Sequence, residues 1–402
     1  MEYKTKILLI ANVNTIHIRK FLNELTLVSN NISIEVFNIG KSDSNEDQRI
    51  LINSKFIVYD AKKRFPSKLY ANRYFANILH LIDVYISILR LRRHYDLINI
   101  MPFTMISVFL MPLYKIFSNK IMISPWGSEV YRIPFFQKIA VKMLGYKYAD
   151  YVSVPKGKFK EDIKYSFDIS EHKFVDLGFG SDIIDEIANN QNISKEYSKG
   201  KLFLNANSFI ITCGYNRSVM QQHYEIINAL NEVKDLLPPQ TILLFPMTYG
   251  RSNNTYIEEI EQKLQSYGMQ CKIYTDFLSP KELLYLRKAT DLFIHIQKTD
   301  AFSATVQEYI LCKTTIINGG WLRYPTLEID GLPYHLVNSV EELPLVLKRI
   351  LLNEASKIEF SDNLMNYIQE NGWSKAIKKW YDFYSNVNKV YDSEKATIVL
   401  SK

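Results

Sequence analysis

Apolar and polar positions along this chain follow two alternating registers, and the switches between them outline its elements. Short unbroken apolar runs predict buried strands, and apolar residues returning every three or four positions predict helices. In the first half, Lys6–Ala11, Ile32–Phe37, Phe56–Tyr59, Leu97–Met101, Lys120–Ser124 and Tyr151–Val154 read as strands. Between them, Ile16–Val28, Tyr70–Arg93, Thr104–Phe117 and Pro134–Tyr148 carry helical spacing, with a kink expected at Pro112. Residues 183–207 are polar and read as a connection. The alternation then restarts with strands at Ser208–Cys213, Gln240–Phe245, Cys271–Tyr274, Leu292–Ile296 and Thr314–Asn318. Helices are expected at Gln221–Leu237, Asn254–Tyr267, Ser279–Ala289 and Ala304–Leu311. Ser279, Pro280 and Glu282 suit the N-cap, first-turn and capping-box positions of one of them.

Short strands alternating with helices place the chain in the α/β class, with parallel sheets covered on both faces. Because the pattern occurs twice, it predicts two Rossmann-like doubly wound domains facing a central cleft. The expected boundaries are 1–182 for a first domain, 183–207 for a linker and 208–360 for a second domain. Residues 361–402 are expected to form helices that pack back toward the first domain, carrying Trp373, Trp380, Tyr381, Phe383 and Tyr384.

Composition changes this picture in three places. A length of 402 residues suits two cores better than one. The three cysteines, Cys213, Cys271 and Cys312, are far apart and show no metal or redox spacing, so they read as small hydrophobes in a reducing, cytoplasmic setting. The acidic Glu2 and the early strand argue against a secretory leader. The uncharged run from Leu97 to Tyr114 is interrupted by Pro102 and Pro112 and reads as strand, turn and helix rather than a membrane span.

Charge is the third. Residues 51–160 hold 18 Lys and Arg against 5 Asp and Glu, although the whole chain carries only +7. Lys62-Lys63-Arg64, Lys68, Arg73, Arg90, Arg92 and Arg93 are interleaved with aromatic residues such as Phe65, and Phe135 and Phe136 adjoin Lys138 and Lys142. Such a face suits anionic lipid head groups at the cytoplasmic membrane, as a peripheral attachment. No nucleic-acid motif accompanies it, and the plain alternative is a solvated basic surface.

The chemistry concentrates in Asp300-Ala301-Phe302-Ser303-Ala304-Thr305-Val306-Gln307-Glu308. An acid follows a strand, a small-residue turn opens a helix, and a second acid lies eight positions on. Backbone N–H groups at the helix start, from Phe302, Ser303, Ala304 and Thr305, suit a diphosphate. The carboxylates suit ribose and sugar hydroxyls. Strand, turn and helix are also the parts of any α/β unit, and Asp and Ser are common first-turn residues.

With these residues in view, nearly the whole chain resembles the GT-B glycosyltransferases, especially the large retaining family of bacterial polysaccharide enzymes. Pro125-Trp126-Gly127-Ser128-Glu129-Val130 is similar to that family's W-G-S-D-V segment, and Gly178-Phe179-Gly180-Ser181-Asp182 to its G-V-D turn. Asp300 to Glu308 resembles its E-x7-E motif, with Asp for the first Glu. The resemblance implies that Glu308 binds the ribose and that Asp300 meets the donor sugar. Two departures matter. The family's Arg–Lys pair in the first turn of the second domain becomes Arg217 followed by Gln221 or His223. Its first-domain His is absent after the fourth strand, and His17 in the first loop is the nearest substitute base.

The stretch Cys213 to His223 and the segment Pro246-Met247-Thr248-Tyr249-Gly250 also resemble transferases of 4-acetamido-4,6-dideoxygalactose that act on lipid-linked acceptors. The two resemblances differ in stereochemical outcome, which stays open. Together they imply transfer from a nucleotide-diphosphate sugar to a lipid-linked or glycan acceptor in surface polysaccharide assembly, with no metal and no cofactor. Catalytic expectations fall on Asp300, Arg217 and His17. Asn216, Tyr249, Phe277 and Leu278 join the donor side, and Asn14, Thr15 and Glu129 the acceptor side. A non-catalytic partner subunit and a nucleotide-sugar epimerase are the competing classes.

Overall fold

The computed structural model describes residues 4–28, 32–40, 56–250 and 254–400. They divide into two compact units, residues 1–179 with 376–402 and residues 180–375.

The first unit is built on β1 (Thr5–Ala11), β2 (Ile32–Asn38), β3 (Ile57–Asp60), β4 (Tyr95–Met101), β5 (Ser118–Ile123), β6 (Tyr151–Ser153) and β7 (Phe174–Val175). Their order is β3-β2-β1-β4-β5-β6-β7, and every pairing is parallel. Residues Ile7–Ala11 and Leu97–Met101 are sealed from solvent, as strands covered on both faces must be. Between strands run α1 (Ile16–Val28), α2 (Arg73–Leu91) and α3 (Met105–Ile116). The expected helix Tyr70–Arg93 is divided, because a short helix Ser67–Ala71 ends at Asn72 in extended backbone. The expected helix Pro134–Tyr148 is α-helical over Phe135–Ala140 and π-helical over Val141–Tyr146. Helix α3 continues through Pro112. No helix among the described residues is long and apolar enough to cross a membrane.

The second unit begins with two helices, α4 (Asp182–Asn189) and α5 (Lys195–Lys201). Residues 183–207, expected as a linker, are therefore mostly folded into this unit. Ile183, Ile184 and Ile187 sit in its core, and a polar outer face had masked them in the sequence. The sheet comprises β8 (Ile210–Cys213), β9 (Ile242–Pro246), β10 (Cys271–Tyr274), β11 (Leu292–His295), β12 (Thr315–Gly319) and β13 (His335–Val337), ordered β10-β9-β8-β11-β12-β13. Helices α6 (His223–Glu232), α7 (Pro280–Ala289) and α8 (Ala304–Leu311) follow β8, β10 and β11. The Ser279–Glu282 capping box of α7 is formed.

Both sheets place their first six strands in one doubly wound order, with the direction of winding reversing between β1 and β4 and between β8 and β11. Ligands of such sheets gather beyond the strand C-termini at that reversal.

The boundary expected at residue 361 moves to 376. Helix Asp362–Gln369 belongs to the second unit, with Leu364 and Ile368 in its core. Only the later part of α9 (Trp373–Leu400) joins the first unit. A buried polar chain fastens it there. Ser153 Oγ donates to Ser124 Oγ (2.9 Å), Ser124 Oγ donates to Asn99 Oδ1 (2.8 Å), and Asn99 Nδ2 donates to Tyr384 Oη (2.7 Å).

Candidate functional site

In the second unit, two loops meet at the β8/β11 reversal, and the first begins at Gly214. This residue has φ +64°, and a Cβ there would lie 2.8 Å from Gln221 Oε1 and 2.9 Å from His223 Nε2. Only glycine meets both demands. Gln221 is buried and joins the loops: its Nε2 donates to Gln297 Oε1 (2.7 Å), and its Oε1 accepts from the Tyr215 amide (3.2 Å). Tyr215 Oη also donates to Gln297 Oε1 (3.2 Å). Asn216 Oδ1 accepts from the Ser218 amide (2.9 Å), tightening the turn that presents Arg217. The Arg217 amide donates to Tyr249 O (2.7 Å), and its Nε donates to Gly250 O (3.2 Å). Arg217 is thus held beside the β9 loop.

Neither Gln221 nor His223 supplies the second cation. His223 is buried, its Nδ1 lies 2.9 Å from Tyr256 Oη, and burial pushes its pKa down to about 3. The folded state keeps the imidazole neutral while the unfolded chain protonates it below pH ~6.5. Stability is therefore complete above that value and declines as the pH falls toward 3. Between pH 7 and pH 5 the expected loss is about 2 kcal/mol. Urea unfolding at the two pH values checks this, and His223→Gln should remove that part of the difference.

The second loop carries Asp300. Its Oδ1 accepts from the Ala301 amide (2.8 Å) and its Oδ2 from Tyr324 Oη (3.0 Å). His295 Nε2 lies 3.6 Å from the same Oδ2. Asn318 Nδ2 donates to the carbonyls of Gly319 (3.2 Å) and Leu322 (3.3 Å). Its Oδ1 is therefore an acceptor, and His295 Nδ1, 2.7 Å away, donates to it. The Tyr215 ring stacks on His295 at 5.8 Å. Ser303 caps α8 by accepting from the Val306 amide (3.3 Å). Ala304 is exposed at the head of the helix, Thr305 is buried, and Phe302 stands edge-on to Tyr324 at 6.0 Å.

Glu308 lies one helical turn below, buried, with both oxygens engaged. Oε1 accepts from Ser181 Oγ and Oε2 from Arg287 Nε, each at 2.9 Å. Arg287 also donates to Tyr309 Oη (3.2 Å) and lies 4.8 Å over that ring. A carboxylate keeps further lone pairs beyond two such bonds. The Tyr249 ring is half exposed, but desolvation of its hydroxyl first, and the Glu308 and Asp300 carboxylates with it, push that hydroxyl up to about 12 against the opposing pull of Arg287 and of a hydrogen bond with Asn216. Asn216, Tyr249, Asp300 and Glu308 are thereby gathered, with Arg217 adjoining through the backbone. Leu278 turns into the core, while Phe277 remains exposed in the loop after β10. His295, Gln297, Tyr324 and Arg287 escaped the sequence reading. A polar residue closing an apolar strand was the available sign for His295, and nothing in the spacing marks Tyr324.

In the first unit, the Thr15 amide and Oγ1 donate to Asn12 O (3.1 and 2.8 Å), and the Asn14 amide donates to Asn12 Oδ1 (3.0 Å). This turn delivers His17 to the first turn of α1. Its ring stands edge-on to Trp126 (5.6 Å) and Phe179 (6.5 Å), and desolvation lowers its pKa. Glu129 Oε1 accepts from the Trp126 amide (2.6 Å), so His17 and Glu129 share Trp126 as a neighbour. Glu129 also lines a cavity of about 230 Å³ with Pro102, Phe103, Thr104, Met105 and Ile133.

No family model matches the chain, and no curated protein matches it in sequence. Solved structures do share its fold. A glycosyltransferase from Rickettsia africae ESF-5 is 15% identical with a TM-score of 0.65, over 96% of this chain and 99% of that one. Sucrose-phosphate synthase from Thermosynechococcus elongatus is 14% identical with a TM-score of 0.69, over 97% and 100%. HepE from Anabaena, solved in complex with UDP, is 14% identical with a TM-score of 0.64, over 95% and 100%. The chain thus has the two Rossmann-like domains of the GT-B fold, as the resemblance implied.

Proposed function

We propose that this chain is a glycosyltransferase that moves a sugar from a nucleotide-diphosphate donor to a lipid-linked or glycan acceptor, without a metal ion. One observation carries the reading: Asp300, the head of α8 and the Arg217 turn meet at the β8/β11 reversal of the second unit. Fold neighbours that hold UDP support the donor class. In this reading the amides of Phe302 to Thr305 and the Arg217 guanidinium meet the diphosphate, where developing leaving-group charge needs fixed donors. Glu308 accepts from the ribose, Asp300 from the sugar, and Tyr249 and Phe277 border the nucleoside, with Leu278 backing them from the core. On the acceptor side, His17, with its lowered pKa, serves as base beside Asn14, Thr15 and Glu129. The basic first unit brings the enzyme to an anionic cytoplasmic membrane surface, where surface polysaccharides such as capsule or exopolysaccharide are assembled.

A thermal-shift series with UDP-, GDP-, TDP- and ADP-sugars tests this. A donor at about 100 times its dissociation constant adds roughly 2.7 kcal/mol. One nucleotide should raise the melting temperature, and Arg217→Ala should weaken its binding about tenfold, as loss of one charge-assisted contact would. No shift with any of them sinks the donor site.

A non-catalytic partner subunit is the second reading. It draws on the buried, uncharged Gln221 and His223 where a cation was expected. Under it, Arg217→Ala leaves transfer by a reconstituted system unchanged.

A further inference from the structure

Helix α2 is apolar on both sides. Its inner face buries Val84 and Ile88 against the first unit. Its outer face carries Phe75, Ile78, Ile82, Tyr85 and Leu89, between 36% and 56% exposed. Their spacing of three, four, three and four residues keeps all five on one stripe of the helix. A surface helix normally turns charged residues outward, and a contiguous apolar stripe marks a surface that meets something other than water.

The surroundings select the partner. Residues Lys62 to Arg64 run beside the helix: the Lys62 amide and the Arg64 Nη2 donate to Ser87 Oγ (3.2 and 3.1 Å), and the Arg64 amide donates to Asp83 Oδ1 (3.1 Å). Lys62, Lys63 and Lys68 are exposed along this border, and Arg90 and Arg92 are exposed at the far end. Between residues 57 and 93 the only acids are Asp60 and Asp83. Asp83 is buried and bonded to Tyr70 and Arg64, and Asp60 accepts from Asn38 Nδ2 (2.8 Å). The stripe is therefore framed by positive charge. Two copies packed stripe to stripe would bring these cations together, whereas an anionic bilayer neutralises them while burying the stripe.

We propose that the outer face of α2 is a docking surface for an anionic lipid bilayer, lying in the interface with its apolar stripe inserted. This extends the membrane part of the reading above from charge to a built apolar surface. It does not depend on sugar transfer, and vesicle binding requires no donor, so either can fail alone.

The experiment is co-sedimentation of the full chain with phosphatidylglycerol–phosphatidylcholine vesicles and with phosphatidylcholine vesicles, at low and high salt. Binding is expected to the anionic vesicles and to be reduced in high salt without vanishing. Ile78→Glu with Ile82→Glu should lower the partition coefficient about tenfold or more at both salts. Arg90→Glu with Arg92→Glu should lower it by a similar factor at low salt only. Circular dichroism checks that the variants fold, with Ile78→Ser and Ile82→Ser as the milder pair. Undiminished binding of the glutamate pair, or equal binding to neutral vesicles, overturns the proposal. So does a concentration-dependent dimer that the glutamate pair dissociates.

Discussion

Glu308→Ala is expected to destabilise the second unit by about 3–5 kcal/mol, the usual consequence of stripping one partner from a buried ion pair. Arg287 would keep its charge in a site closed to water, with Tyr309 as its remaining partner. Ser181 Oγ would lose its acceptor while still accepting from the Ile183 and Ile184 amides at the head of α4. The damage would therefore spread from α8 to α4. Urea unfolding measures it. Glu308→Gln retains an acceptor and should lie between wild type and alanine. Glu308→Leu combined with Arg287→Met should recover much of the loss, because an apolar pair can replace a buried ionic one. A cost below about 1 kcal/mol for the alanine variant would place the pair among solvated ion pairs. The result also governs any ligand assay at this position. A melting shift lost in Glu308→Ala mixes weaker binding with a weaker protein, and the glutamine variant separates the two.

Trp380→Ala should cost the first unit a similar amount, about 3–5 kcal/mol. The indole is among the largest fully buried side chains. It packs 5.0 Å from the Phe21 ring and 5.6 Å from Tyr384, and its Nε1 donates to Gly178 O (3.0 Å). Truncation would leave a cavity between α1 and α9 and orphan a carbonyl. Denaturant unfolding of the variant reads the loss. Tyr384→Phe, which removes only the hydroxyl that serves Asn99, should cost about 1–2 kcal/mol. If Trp380→Ala unfolds within 1 kcal/mol of the wild type, α9 contributes little to this core.

Much of the fold could be read because its signals are local. Apolar spacing places α1 at Ile16–Val28, and the Ser279–Glu282 pair marks the start of α7 through bonds made within one turn. The α8 turn was legible for the same reason, since Ser303 caps the helix it begins. What escaped depends on partners distant in sequence. Helix α4 is short and polar outside, and only tertiary packing shows that Ile183, Ile184 and Ile187 form one buried face. The helix Lys158–Phe167 is mostly polar and strand β13 is three residues long, so neither carries a local pattern that marks it. At the site, the acids were visible from spacing. The groups that fix them, Arg287, Tyr324 and Ser181, lie 21, 24 and 127 residues away from their partners, beyond any local pattern.

The first unit is discontinuous: residues 1–179 are completed only by residues 376–402. On a ribosome, Phe21 and Gly178 emerge long before Trp380 exists to cover them. Residues 180–375 must be synthesised in between, and at about 5–20 residues per second that interval lasts roughly ten seconds or more. The order of maturation is therefore the reverse of the order of synthesis. The second unit can close as soon as its own sequence is out, while the first waits with an apolar seam open until the residues of α9 that carry Trp380 arrive.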